Sequence, residues 1–124
     1  MVIIRCVLSL AVQNDGWQLF QLDINNAFLY GDLHEDVYMS LPEGYYSKDE
    51  SRVCKLKKSL YGLKQAPRMW NEKLVKVLID FSFVQSMCDY SMFVKKSNNT
   101  VVILLVYVDD IVLTGNSLDE ISEV

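Results

Sequence analysis

The sequence predicts an α+β fold, a two-layer sandwich in which an antiparallel sheet carries helices on one face. Three observations point there. Short apolar runs at Met92–Lys96, Val101–Val108 and Ile111–Thr114 are separated by turn signals, so consecutive strands should fold back on one another. Trp70, Leu74, Val77, Leu78 and Phe81 recur at helical spacing, with Asn71, Lys73, Lys76 and Asp80 facing away, which is the pattern of a helix lying on a sheet. Helical and strand patterns follow one another without regular βαβα alternation or internal repeats, which argues against a doubly wound parallel sheet.

Composition sets the frame for these elements. The chain has 124 residues, 51% hydrophobic and 23% charged, so one globular domain with a core is expected and a disordered segment is not. A formal net charge of -4 lacks the basic excess of a freestanding nucleic-acid binder. Cys6, Cys54 and Cys88 are widely spaced and form no C-x-x-C pair, as expected of reduced thiols in an intracellular protein. No apolar run is long enough to span a bilayer, and no membrane partner is expected.

Val2–Gln13 is apolar except for Arg5, Ser9 and Gln13, and Asn14-Asp15-Gly16 stops it, so a mostly buried first helix is expected. Arg5 inside the run and the lack of a small-residue cleavage pattern argue against a signal peptide. In Trp17–Ile24 the alternation places Phe20, Leu22 and Ile24 on one strand face and Leu19, Gln21 and Asp23 on the more polar one. A short helical turn over Asn25–Phe28 leads to an acidic loop containing Asp32, His34, Glu35 and Asp36. Val37–Leu41 and Val53–Leu56 read as short strands around a polar surface loop, Tyr45–Arg52.

Lys57–Trp70 is the only cationic stretch, carrying Lys57, Lys58, Lys64 and Arg68 with Tyr61 and Trp70 between them. A solvated basic loop and a nucleic-acid contact are both open readings of it. Pro67 suits the first turn of the following helix, and Trp70 fits the core better than a ligand contact. At the other end of the chain, Ser117 and Glu120 have capping-box spacing, so a helix should begin there. The sequence stops four residues after Glu120, as expected of part of a longer chain.

Val101–Gly115 reads VVILLVYVDDIVLTG, two apolar arms around Asp109 and Asp110, and the simplest reading is a buried hairpin with the acids at its tip. Two adjacent carboxylates repel and are costly to bury without a cation or donors, so they look like half of a metal site. An ordinary Asp-rich turn is the alternative. Asp23 also ends a strand, and neighbouring strands would bring it to the same place. Mg²⁺ prefers hard oxygen ligands and is commonly held by one or two carboxylates plus substrate phosphates.

Four segments carry a family resemblance: QLDINNAFLYGDL (Gln21–Leu33), VYMSLPEGY (Val37–Tyr45), SLYGLKQAPRMW (Ser59–Trp70) and YVDDIVLTG (Tyr107–Gly115). In this order and spacing they resemble the reverse transcriptase, an RNA-directed DNA polymerase, of copia-type LTR retrotransposons. The resemblance implies the palm, with part of the fingers, of a right-hand polymerase. It implies that Asp23 and Asp109 are metal-bridging catalytic residues, with the Ile24 carbonyl a further ligand. Asp110 would be the third carboxylate, nearer the primer terminus. Phe28 matches the aromatic residue that floors the sugar pocket and excludes a ribose 2′-hydroxyl; a core ring is its alternative. Gly62, Lys64, Gln65 and Ala66 match a segment that lies against the incoming nucleotide, with Gly62 permitting close backbone approach. Tyr107, Val108 and Arg68 would contact primer or template.

The same resemblance implies two Mg²⁺ ions, with Mn²⁺ as an alternative, and a primed RNA or DNA template with deoxynucleoside triphosphates. The remaining polyprotein domains, thumb, ribonuclease H and integrase, would be partners outside these residues, acting in a cytoplasmic virus-like particle or in the nucleus. Two further readings compete: a catalytically inactive truncated remnant of such an element, and another metal-dependent phosphotransferase on the same sandwich.

Overall fold

The computed structural model describes residues 2–45 and 51–124, and most of the loop expected over residues 45–52 lies outside them. The chain divides into two compact units, residues 1–25 with 74–124, and residues 26–73.

The first unit contains α1 (Val2–Gln13), β1 (Gln18–Asp23), the second half of α2 (Ala66–Asp80), β4 (Val84–Gln85), β5 (Met92–Ser97), β6 (Thr100–Tyr107), β7 (Asp110–Gly115) and α3 (Leu118–Ser122). Its strands form one five-stranded sheet in the order β1-β7-β6-β5-β4, antiparallel throughout. The α+β antiparallel class is the one the sequence predicts. The expected three-stranded unit is its centre, and β1 and β4 extend it at the two edges.

The register explains the unbroken apolar run of β6. Residues opposed across an antiparallel ladder share a sheet face. Val94, Ile103, Leu105 and Val112 therefore point one way, and Phe93, Val102, Leu104 and Leu113 point the other. Both sets need a cover. On the first face Val7 of α1 is buried with Ile103 and Leu105, flanked by Ile3, Ile4 and Trp17. On the second face Lys95, opposite Val102, forms a 2.6 Å ion pair with Glu120 of α3. That carboxylate holds the Lys95 ammonium above its ordinary pKa. Helices thus lie on both faces of the sheet rather than on one, because β6 is apolar on both sides.

Two local expectations need correction. The first helix forms where expected, but only Val7 and Ala11 are buried, and Val12 is 84% exposed. The second is β4, which the sequence did not suggest: two residues following buried Phe83 are too short to show a period. Other elements follow their local signals. The α3 cap forms, with Ser117 Oγ accepting from the Glu120 N–H. Gly115 has a packing reason, since a Cβ there would stand 2.2 Å from the Val101 carbonyl oxygen.

The second unit holds a 3₁₀ turn at Ala27–Tyr30, the antiparallel pair β2 (Tyr38–Ser40) and β3 (Val53–Lys55), and the first half of α2. Ala27, Ala66, Met69 and Trp70 are buried, and the Tyr30 ring lies 6.1 Å from that of Trp70. Gly31 passes so close to α2 that a Cβ would meet Met69 Cβ at 2.9 Å. No helix among the described residues is long and apolar enough to cross a membrane.

Candidate functional site

Asp23 is the last residue of β1 and Asp110 the first of β7, and they are direct partners in the β1–β7 register. Side chains opposed in this way share a face, with Cβ atoms about 5 Å apart. The same face carries Tyr107, which is opposite Asp110 on β6, and Gln21, two residues before Asp23. The strand alternation predicted for β1 is therefore observed, with Leu19, Gln21 and Asp23 together.

Asp109 is placed differently. Val108 and Asp109 form the two-residue turn between β6 and β7, so Asp110 lies just inside the strand rather than at the tip. The Asp109 carbonyl accepts a 2.9 Å hydrogen bond from the Ile24 N–H, continuing the β1–β7 ladder into the turn. Val108 has a φ of 58°, an unusual left-handed conformation for a β-branched residue, which costs of order 1–3 kcal/mol. The turn is thus strained at Val108 and tied to β1 at Asp109. Tyr107 and Val108 are exposed, at 63% and 44%.

Of the three carboxylates expected to converge, the β1–β7 register opposes Asp23 to Asp110, not to Asp109. Among the described residues no group of three or more Asp, Glu, His or Cys side chains is arranged to hold a metal ion. Strand register gives Asp23 the neighbour Asp110, whereas Asp109 sits in the turn. Two opposed carboxylates still suit Mg²⁺, which completes its shell with waters and substrate phosphates. No ion pair among the described residues involves Asp23, Asp109 or Asp110, so no side-chain cation offsets their charge. A neutral donor reaches one of them: Gln21 Nε2 donates to Asp110 Oδ1 at 3.3 Å. Both residues line a groove of about 610 Å³ with Ile4, Leu105, Tyr107 and Val112. Gln21 is a site residue that the sequence motifs do not mark, although its parity with Asp23 on the strand does.

The remaining candidates, Phe28, Gly62, Lys64, Gln65, Ala66 and Arg68, belong to the second unit. The Phe28 ring packs against Tyr61 with centroids 4.7 Å apart and planes tilted by 52°. Gly62 has a φ of 92° and nothing within 4 Å of a Cβ built on it, so its backbone conformation, not internal crowding, calls for glycine. Gln65 Nε2 donates to Glu35 at 3.4 Å, and Ala66 is buried at the start of α2.

The cationic stretch is partly neutralised. Lys58 pairs with Asp32, which also accepts from Lys73 at 3.0 Å, and hydrogen bonds from these two ammonium groups pull the Asp32 carboxyl down to about 2. Arg68 pairs with Glu72 at 2.9 Å, which lowers the Glu72 pKa and raises that of Arg68. Lys57 and Lys64 make no ion pair among the described residues.

Comparison with known proteins adds the lineage. The family described as reverse transcriptase (RNA-dependent DNA polymerase) matches residues 1–124. The Retrovirus-related Pol polyproteins from transposons RE1 and RE2 of Arabidopsis thaliana are 54% and 50% identical over 114 residues, 91% of this chain. The Retrovirus-related Pol polyprotein from transposon TNT 1-94 of Nicotiana tabacum is 44% identical over 117 residues, 93% of this chain. The chain spans only 8% to 9% of the length of these relatives. No solved structure matches it. A family match across all of residues 1–124, with such relatives beside it, shows that this chain belongs to the reverse transcriptase family, as its four motifs implied.

Proposed function

We propose that this chain is the catalytic part, palm with some of the fingers, of an RNA-directed DNA polymerase within a retrotransposon Pol polyprotein. The observation that carries this reading is the opposition of Asp23 and Asp110 across β1 and β7, beside the strained Val108–Asp109 turn, in a chain of this family. Deoxynucleoside triphosphates and a primed RNA or DNA template are the substrates. Thumb, ribonuclease H and integrase are the partner domains, and the site of action is intracellular, in a virus-like particle or the nucleus.

In this reading Asp23, Asp109 and Asp110, with the Ile24 carbonyl, would hold two Mg²⁺ ions, or Mn²⁺ in their place. The bound ions supply Lewis acidity at the primer 3′-oxygen and at the triphosphate. The new bond joins the 3′-oxygen to the α-phosphorus as the hydroxyl proton passes to solvent, the bond from that phosphorus to the bridging oxygen breaks, and pyrophosphate leaves. The protein contributes no nucleophile. Asp23 and Asp110 supply fixed negative charge on one sheet face, and the Ile24–Asp109 hydrogen bond holds the turn to β1. Phe28 is the candidate reader of the sugar 2′-position. Lys64, Gln65 and the Gly62 backbone are nucleotide contacts, with Ala66 setting the start of α2 beneath them. Tyr107, Val108 and Arg68 contact primer or template.

The test is primer extension by the full-length protein that contains these residues. Template-directed synthesis should require a divalent cation and should fall by several orders of magnitude in Asp23→Asn and Asp109→Asn. Normal extension by those variants would remove the acids from the mechanism, and an inactive parent protein would favour the remnant reading.

A further inference from the structure

We propose that Gln21 is a positioning residue for Asp110, acting through its side-chain amide to fix which carboxylate oxygen is presented to a divalent cation. Three features of the site support it. Gln21 and Asp23 stand on one face of β1, and Asp110 is opposite Asp23, so Gln21 is the diagonal cross-strand neighbour of Asp110. Diagonal neighbours are within reach of a long side chain. Gln21 Nε2 donates to Asp110 Oδ1 at 3.3 Å, and both residues line the same groove. The groove wall beside the amide is largely apolar, formed by Ile4, Leu105 and Val112.

The chemistry of the donor matters as much as its position. Asp110 faces the like charge of Asp23, and a lone Asp side chain under that repulsion would turn towards water. A lysine at position 21 could hold it back only by neutralising it and competing with the cation. The glutamine amide donates a hydrogen bond without bringing a charge of its own, so it orients Asp110 without competing with a cation. This is how outer-shell partners tune metal-binding carboxylates, and their loss commonly weakens metal affinity roughly 10–100-fold.

This inference rests on the reading of the acid pair as a metal site, and the experiment separates the two. Mn²⁺ binding to the full-length protein, without nucleotide or primer, is measured from the loss of the free-ion electron paramagnetic resonance signal. The variants are Gln21→Met, which keeps the length of the side chain and removes the donor, Asp110→Asn, and the double variant. Melting curves establish that each is folded. Gln21→Met should raise the Kd for Mn²⁺ roughly tenfold, and in the Asp110→Asn background it should change little, because its effect passes through Asp110. Wild-type Mn²⁺ affinity in Gln21→Met alongside a loss in Asp110→Asn would overturn the role of Gln21 and leave the metal site standing. Equal effects of Gln21→Met with and without the Asp110 carboxylate would also overturn it. Wild-type affinity in both single variants would overturn the metal-site reading together with the inference.

Discussion

Replacing Asp110 with asparagine should make the metal-free protein more stable and weaken its response to Mg²⁺. Asp23 and Asp110 are opposed in register, which sets their Cβ atoms about 5 Å apart. Two unit charges at that separation in water repel by about 0.8 kcal/mol. Screening reduces this to about 0.7 kcal/mol at 10 mM salt and about 0.4 kcal/mol at 0.15 M. Asparagine keeps the shape and can still accept from Gln21, so relief of repulsion is the main change. Urea unfolding in EDTA is the assay, because urea leaves ionic strength free to vary. The variant's free energy of unfolding should exceed that of the parent by these amounts, more at low salt. Mg²⁺ should reverse the order: at ten times its Kd an ion bound only by the folded state adds about 1.4 kcal/mol, a gain the variant should largely lose. Lower stability of Asp110→Asn in EDTA, a salt-independent difference, or an undiminished response to Mg²⁺ would refute the electrostatic reasoning.

Further outcomes follow from other parts of the structure. Gly115→Ala forces a Cβ towards the Val101 carbonyl and should destabilise the full-length protein by about 1–3 kcal/mol in urea titrations, and unchanged stability would remove the packing reason for this glycine. Because Lys58 and Lys73 depress the Asp32 pKa to about 2, their stabilisation should be fully present above the ordinary value of 3.8 and should be lost as pH falls towards 2. Asp32→Asn should flatten that part of the urea midpoint profile against pH. Phe28→Ala should admit ribonucleotides in primer extension, shifting sugar discrimination roughly 10–200-fold, and unchanged selectivity would return the ring to a packing role.

What could be read from the sequence was what depends on local periodicity. The strands at Met92–Ser97, Thr100–Tyr107 and Asp110–Gly115, the helix from Ala66 and the Ser117 cap all follow apolar spacing or capping chemistry. The parity of Gln21 with Asp23 was likewise visible, since alternation on a strand needs no tertiary knowledge. Register was not legible. Whether Asp23 faces Asp109 or Asp110 is a one-residue question decided by the two-residue turn and the positive φ of Val108, neither of which an apolar pattern encodes. The exposure of α1 was missed for a related reason: composition shows that a helix is apolar all round, not how much of it a neighbour covers. Phe28 and the Gly62–Ala66 segment gained their proposed roles from family resemblance, and their packing here adds the Tyr61 contact and the positive φ of Gly62.

The most direct test of the central claim is the position of the ion. Crystals of the full-length protein grown with Mn²⁺, primed template and a non-reactive deoxynucleotide analogue would locate it by anomalous scattering. The expected result is a peak with oxygens of Asp23 and of Asp109 or Asp110 at roughly 2.1 Å, shared with the triphosphate. A peak held by other residues, or ordered nucleotide with the carboxylates of Asp23 and Asp110 turned away from any ion, would contradict it.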